Sequence, residues 1–376
     1  MIYKIFAISK KELLQIKRDK RSLLIIFVLP VSLLILFGYA ITLDVNNIKI
    51  SVYDNDRSLI SRDFINSFSG SGYFTVVSNI ENDKDINEVL DKGIAQCVIV
   101  IPYDFQKKID NDEKAEVQFL IDGIDASTAT IIINYVNAAT RTYSRKIINE
   151  FLLSKGMELY NPLDPEPQFW YNKDLNTTKF FIPGLIAMIL IIISVILTSI
   201  SLVREKEFGT IEQIKVSPVS TLALIIGKIV PYLFISLLIA FLILLMGYIL
   251  FGVEVKGNYG ELFFGTVCYL LATLSMGVFI STIAESQQVA FQIAMLISQL
   301  PTVILSGFLF PIESMPYPIQ ILSYITPAKY YIIILRDILI KGVGIELFAK
   351  EILSLLLFAV ILVSLSILKT SREKSV

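Results

Sequence analysis

Six stretches of this 376-residue sequence are each apolar over about 20 residues, the length needed to cross roughly 30 Å of hydrocarbon. They lie at about 22–43, 180–203, 221–251, 262–284, 289–310 and 347–368. The run from Gly184 to Val203 carries no charge. At about −0.3 to −0.6 kcal/mol for each central Leu, Ile, Val or Phe, such a run inserts favourably. With 54% hydrophobic and 18% charged residues, the chain reads as an α-helical polytopic membrane protein of six transmembrane helices. The first run follows seven Lys or Arg residues as a signal peptide would, but its core is too long and GYAITLDVN offers no small-x-small cleavage site. An uncleaved anchor is expected.

Short-loop Lys and Arg set the orientation. With both termini inside, 14 fall on the cytoplasmic side and five outside, so both termini are expected in the cytoplasm. The organisation follows: an N-terminal amphipathic interfacial helix at 1–21, a first span at 22–43, an extracytoplasmic domain at 44–179, five further spans over 180–368, and a cytoplasmic tail at 369–376.

Residues 44–179 hold 21 acidic against 14 basic residues. Strand-like runs IKISVYD, YFTVV, QCVIVIP and AEVQFLID alternate with helix-like LISRDFINSF and DINEVLDKG. A long helix opening after Asp125, as N-cap, returns toward the membrane. That alternation predicts a compact α+β domain.

The sequence has no histidine, which excludes His-based catalysis and His-ligated metals. Cys97 and Cys268 fall in different regions, so no disulfide framework is expected. No GxxxxGK[ST] occurs; Gly227-Lys228 lacks the upstream Gly. No catalytic residue, metal or bound cofactor is expected, and the chain should not hydrolyse ATP by itself.

The charged stretch VREKEFGTIEQIKVSPVS interrupts the apolar runs between the second and third spans. Gly209 can end the preceding helix in a left-handed conformation. Thr210 and Gln213 have capping-box spacing, Ile211 and Ile214 share one face, and Ser217-Pro218 stops the turn. A short surface helix within 204–220 is expected, with Glu205, Glu207, Glu212 and Lys215 toward the cytoplasm. The plain alternative is a topological hairpin loop. In the N-terminal segment Ile2, Ile5, Phe6, Leu13 and Ile16 share one arc, while Lys4, Lys11 and Arg18 line the opposite face. Glu12 and Asp19 run beside those basic residues. Such a helix could lie on anionic lipid.

Ser194, Thr198 and Ser201 form a hydroxyl stripe on the second span, and Gln288, Gln292 and Gln299 an amide stripe on the fifth. Hydroxyls can be satisfied within their own helix. Glutamine is costly in lipid, so the Gln stripe is the better lumen candidate. The Pro-rich 311–346 segment is expected to form short re-entrant or surface helices, and its cap could satisfy Arg336 and Asp337.

The run YNKDL…FFIPGLIAMILIIIS…VREKEFGTIEQIKVSPVS resembles type 2 ATP-binding-cassette (ABC) export permeases, in particular the subgroup with a large outer domain after the first span. FLIDGIDASTATIIINYV, SGFLFPIESMP and ITPAKYYIIILRDILIKG extend the resemblance over about 115–342. Phe208 stands where the family more often has a basic residue. The resemblance implies that the 210–217 turn is a coupling helix docking on a separate ATPase, with Arg204, Glu205, Glu207, Gly209, Thr210, Glu212, Gln213 and Pro218 as the coupling residues. It implies that the N-terminal helix also touches that subunit. Ser194, Thr198, Gln288, Gln292 and Gln299 become candidates for the translocation path. The implied partners are two ABC ATPase subunits, a second copy or similar permease, the lipid bilayer and, in a trans-envelope exporter, a membrane-fusion protein; no nucleic acid is expected. ATP and Mg would sit on the partner. The implied activity is export of an amphipathic, lipid-like or drug-like cargo. The alternative is a mechanical transmitter or receptor that acts on an external partner without transport.

Overall fold

The computed structural model describes residues 2–40, 47–111, 113–156, 170–171, 177–209 and 220–372. The chain divides into a helical unit, Met1–Thr42 with Gln168–Val376, and a second compact unit, Leu43–Pro167.

In the second unit, β1 (Ile48–Asp54) lies between β2 (Phe74–Asn79) and β3 (Cys97–Ile101), parallel to both, and β4 (Gln118–Ile121) pairs antiparallel with β3. Strand alternation divides β3 between two cores. Cys97, Ile99 and Ile101 join Phe64 and Phe68 of α3 (Leu59–Ser69) and Ile132 of α6 (Ala126–Ser154), whereas Val98 joins Ile86 of α4 (Asp85–Asp91). The expected strands and two helices are present. α5 (Phe105–Asp110) was not expected, because a six-residue helix shows no usable periodicity.

The helical unit begins with α1 (Ile2–Arg18) and α2 (Lys20–Ala40). Then follow α7 (Thr177–Glu207), α8 (Thr221–Phe251), α9 (Tyr259–Ile283), α10 (Gln287–Leu305), α11 (Tyr317–Ser323), α12 (Pro327–Arg336) and α13 (Ala349–Arg372). Their starts follow from capping: Ser220, Asn258 and Ser286 accept from the first-turn N–H groups of α8, α9 and α10. Gly252 ends α8 at φ 62°. Among the described residues, α7, α8, α9, α10 and α13 are long and apolar enough to cross a membrane. The apolar stretch described in α2, Ile26–Ala40, is shorter.

These helices share an apolar composition but not a location. α7 and α9 are mostly buried within the protein, while a minority of the residues in the apolar windows of α8, α10 and α13 are buried. Close packing at the centre uses small residues. A methyl on Gly277 of α9 would stand 2.0 Å from Thr198 Oγ1 and 2.6 Å from the Val195 carbonyl of α7. About two turns away along α9, Tyr269 stacks on Tyr331 at 4.1 Å and donates to the Ala187 carbonyl at 2.8 Å.

After α10 the chain makes a 3₁₀ turn (Ile312–Ser314), the short helices α11 and α12, and a π-helical turn at Asp337–Lys341. Arg336 stacks 3.8 Å over Phe180 and donates to the carbonyls of Phe180 and Gly307. Asp337 instead pairs with Lys341 at 2.6 Å. The adjacent charges therefore have separate partners.

Candidate functional site

A cluster of buried charge lies in the helical unit where α1 crosses α7 and α8. Gly227 makes the crossing close: a Cβ there would stand 2.9 Å from Ile8 Cβ, and Ser9 Oγ donates to the Gly227 carbonyl at 2.8 Å. One residue later Lys228, 2% exposed, donates from Nζ to Glu12 Oε1 and to the Ser201 carbonyl, each at 3.1 Å, and forms an ion pair with Glu205 Oε2 at 3.2 Å. Glu12, 4% exposed, accepts at Oε2 from Tyr232 Oη at 3.0 Å and Ser201 Oγ at 3.2 Å. Lys11 Nζ completes the set at 2.7 Å from Glu205 Oε1. Two cations thus balance two carboxylates.

Isolated buried charges cost several kcal/mol each, so such a cluster persists only with full pairing and hydrogen bonding. Here the charges are fully paired, and the pairing joins α1, α7 and α8. α7 ends and α8 begins on either side of residues 210–219, so both flanks of that segment are fixed to α1. A cavity of about 410 Å³ opens beside the cluster, with Glu12, Ser201 and Tyr232 at its floor and Arg204 and Phe208 at its rim.

Several expectations need correction. Glu205 does not face solvent; it is 7% exposed and holds Lys11 and Lys228. Glu207 is exposed yet committed, accepting from the Gln287 backbone N–H at 2.6 Å and from the Gln287 amide, which ties α7 to the start of α10. Glu12, which runs with Asp19 beside the basic residues in the sequence, is buried in the cluster. In the expected apolar arc of α1, Ile2, Phe6 and Leu13 are exposed, and Ile5 and Ile16 are half-buried. Lys4 is half-buried, whereas Lys11 and Arg18 are exposed.

Arg204 is exposed, 5.8 Å from the centre of the exposed Phe208 ring. Gly209 has the left-handed φ of 69°. Thr210, Glu212, Gln213 and Pro218 lie outside the described residues, as does the short helix expected there.

The two polar stripes separate. Ser194 donates to Ser236 Oγ at 3.3 Å and Thr198 to the Ser194 carbonyl at 2.6 Å, both fully enclosed between α7, α8 and α9. As placed, neither side chain reaches an open face, because helix packing has absorbed both hydroxyls. On α10 the buried stripe is Ala290, Ala294, Ser298 and Thr302, packed on α7, while Gln288 and Gln292 are exposed and Gln299 half-buried.

Lys228 and Tyr232 were missed as site residues. A lysine eight residues into an apolar run was the available signal, since ionisable groups at such positions are rarely incidental. Among the described residues, no group of three or more potential metal ligands is assembled.

Comparison with known proteins supplies the family. Residues 20–368 match the ABC-2 family transporter protein model. The chain is 32% identical over 98% of its length to the probable multidrug ABC transporter permease YbhS of Escherichia coli strain K12, covering 96% of that protein. It is 31% identical to the probable multidrug ABC transporter permease YbhR of the same strain, covering 92% of each chain. ABC transporter G family member 20 of Dictyostelium discoideum is 26% identical over 90% of this chain, which spans 46% of that longer protein.

Proposed function

The chain belongs to the ABC-2 family of transporter permeases, and from that membership we propose that it is the membrane half of an exporter driven by a separate ATPase. Its cargo is an amphipathic, lipid-like or drug-like molecule, in keeping with the multidrug naming of its relatives. α2 makes the sixth crossing, both termini are cytoplasmic, and residues 44–179 form the outer domain. Two permease copies, or this chain with a similar one, bind two ATPase subunits. ATP-driven closure of those subunits moves residues 210–217 and shifts the cavity from inward- to outward-facing.

One observation carries this reading. Glu205 and Lys228, on either side of the charged segment, are both joined to α1 at distances near 3 Å. Force applied to that segment therefore moves three helices together, as a coupling element requires. The exposed Gln288 and Gln292 on α10 supply a polar face that a second copy could enclose as a path.

Co-expressed with its ATPase in cells lacking other efflux pumps, the permease should lower accumulation of an amphipathic fluorescent dye. Disabling the ATPase should abolish the effect; equal accumulation with and without the pair would remove the export assignment. Topology has its own test. Cys97 and Cys268 are buried, and burial pushes the Cys97 thiol up to about 12, so the wild-type chain should stay unlabelled by an impermeant maleimide. Asn82→Cys, on an exposed loop, should label from outside intact cells and Lys369→Cys should not. The reverse pattern would invert the orientation.

A further inference from the structure

A cavity of about 820 Å³ opens between α8 and α9, at the end where residues 252–258 join them. Sites for small molecules commonly measure about 300–1,000 Å³. The α8 wall is an aromatic stripe. Phe234, Phe241 and Tyr248 are spaced by sevens, drift only about 20° per step and run about 21 Å along the helix. Tyr259 and Phe263, one turn apart at the start of α9, line the other side. All five rings are exposed.

Charge decides which occupant such a groove takes. Glu254 is the only charged residue among the described lining residues. It is exposed and has no ion pair among the described residues. Lys256, two positions on, lies outside the lining and donates to the Tyr171 carbonyl at 3.2 Å. An acyl chain alone would match the apolar walls but bring nothing to the carboxylate. A phospholipid headgroup would carry its phosphate to the same end, where the lining holds no cation. An apolar organic cation matches both parts. Its charge sits beside Glu254 and over the electron-rich faces of Tyr248 and Tyr259, and its body lies between the rings.

We propose that the groove between α8 and α9 binds a lipophilic organic monocation from the adjoining leaflet, with Glu254 as its counter-charge. The site lies apart from the glutamines of α10. The inference uses only the membrane setting of the helical unit, so failure of the export reading would leave it standing, and its own failure would leave that reading standing.

The test places the full chain, without ATPase, in phosphatidylcholine nanodiscs and measures equilibrium binding of tetraphenylphosphonium, with empty nanodiscs subtracted. Binding should saturate at one site per chain. Tetraphenylborate, of the same shape and opposite charge, should not compete. Glu254→Gln should weaken binding about fivefold, the scale of a partly screened ion pair. Phe241→Ala should weaken it by a similar factor through the lost ring face. Both side chains are exposed, so both variants should keep the parent's unfolding temperature. Binding no greater than that of empty nanodiscs, equal competition by tetraphenylborate, or an affinity unchanged by Glu254→Gln would each overturn the proposal. So would a bifunctional maleimide joining Phe241→Cys of two copies, which would make the groove an interface between permeases.

Discussion

Lys228→Met is expected to weaken the seating of α1 by about 3–5 kcal/mol, because it leaves two carboxylates buried beside one partly exposed lysine. Glu12 would retain the Ser201 and Tyr232 hydroxyls, and Glu205 would retain Lys11. Hydroxyls do not neutralise a charge, and the Lys11 side chain is 53% exposed, so its bond is screened. Lys11→Ala alone should therefore cost under about 1 kcal/mol. Glu12→Met combined with Lys228→Met removes one charge of each sign and leaves the Lys11–Glu205 pair. That double variant should recover most of the single variant's loss, as balanced removal of buried pairs commonly does. Thermal unfolding of the parent, Lys228→Met, Glu12→Met, their combination and Lys11→Ala in one detergent measures the coupling. Additive losses, or a Lys228→Met cost no larger than that of Lys11→Ala, would mean the cluster is solvated and does not hold the helices.

The sequence shows which stretches are apolar but not what each apolar side touches. The third run begins and ends at the residues of α8, since Ser220 and Gly252 are chemical stops as well as hydropathy changes. The strands of the second unit were similarly legible because β1 and β3 are short apolar runs bounded by polar turns. In α1 the usual inference from an amphipathic pattern reverses. A soluble helix turns its apolar side inward, but next to a bilayer that side can face lipid, and here Ser9 and Glu12 face the protein instead. Glu205 was misplaced for a related reason: its partner Glu12–Lys228 pair is contributed by residues about 190 and 20 positions away, and no local period reports such contacts. The Ser194 and Thr198 stripe has the spacing of a channel lining. It also has the small size that α7 and α9 need for close packing at Gly277, and packing takes precedence.

The second large effect concerns the segment that the cluster frames. If residues 210–217 form the expected helix, Thr210→Ala removes its N-cap and should cost about 0.5–2 kcal/mol of local helix stability. A helix of two turns has little stability to spare, so it should fray in an appreciable fraction of molecules. Glu212→Lys leaves the cap intact but reverses charge on the expected docking face. The buried ion cluster is built from Lys11, Glu12, Ser201, Glu205, Lys228 and Tyr232, which both variants leave in place, so both should insert at wild-type abundance and keep the unfolding temperature of the parent. Both should nevertheless lose transport, because ATPase closure would no longer reach α7 and α8.

Co-purification of the partner ATPase with each variant, scored together with stimulation of its ATP hydrolysis, tests the coupling assignment most directly. The wild-type permease should retain and stimulate the ATPase while showing no hydrolysis alone, and Thr210→Ala and Glu212→Lys should each lose binding, stimulation or both. If both variants hold and stimulate the ATPase like wild type, residues 210–217 are a topological loop and the coupling assignment is wrong.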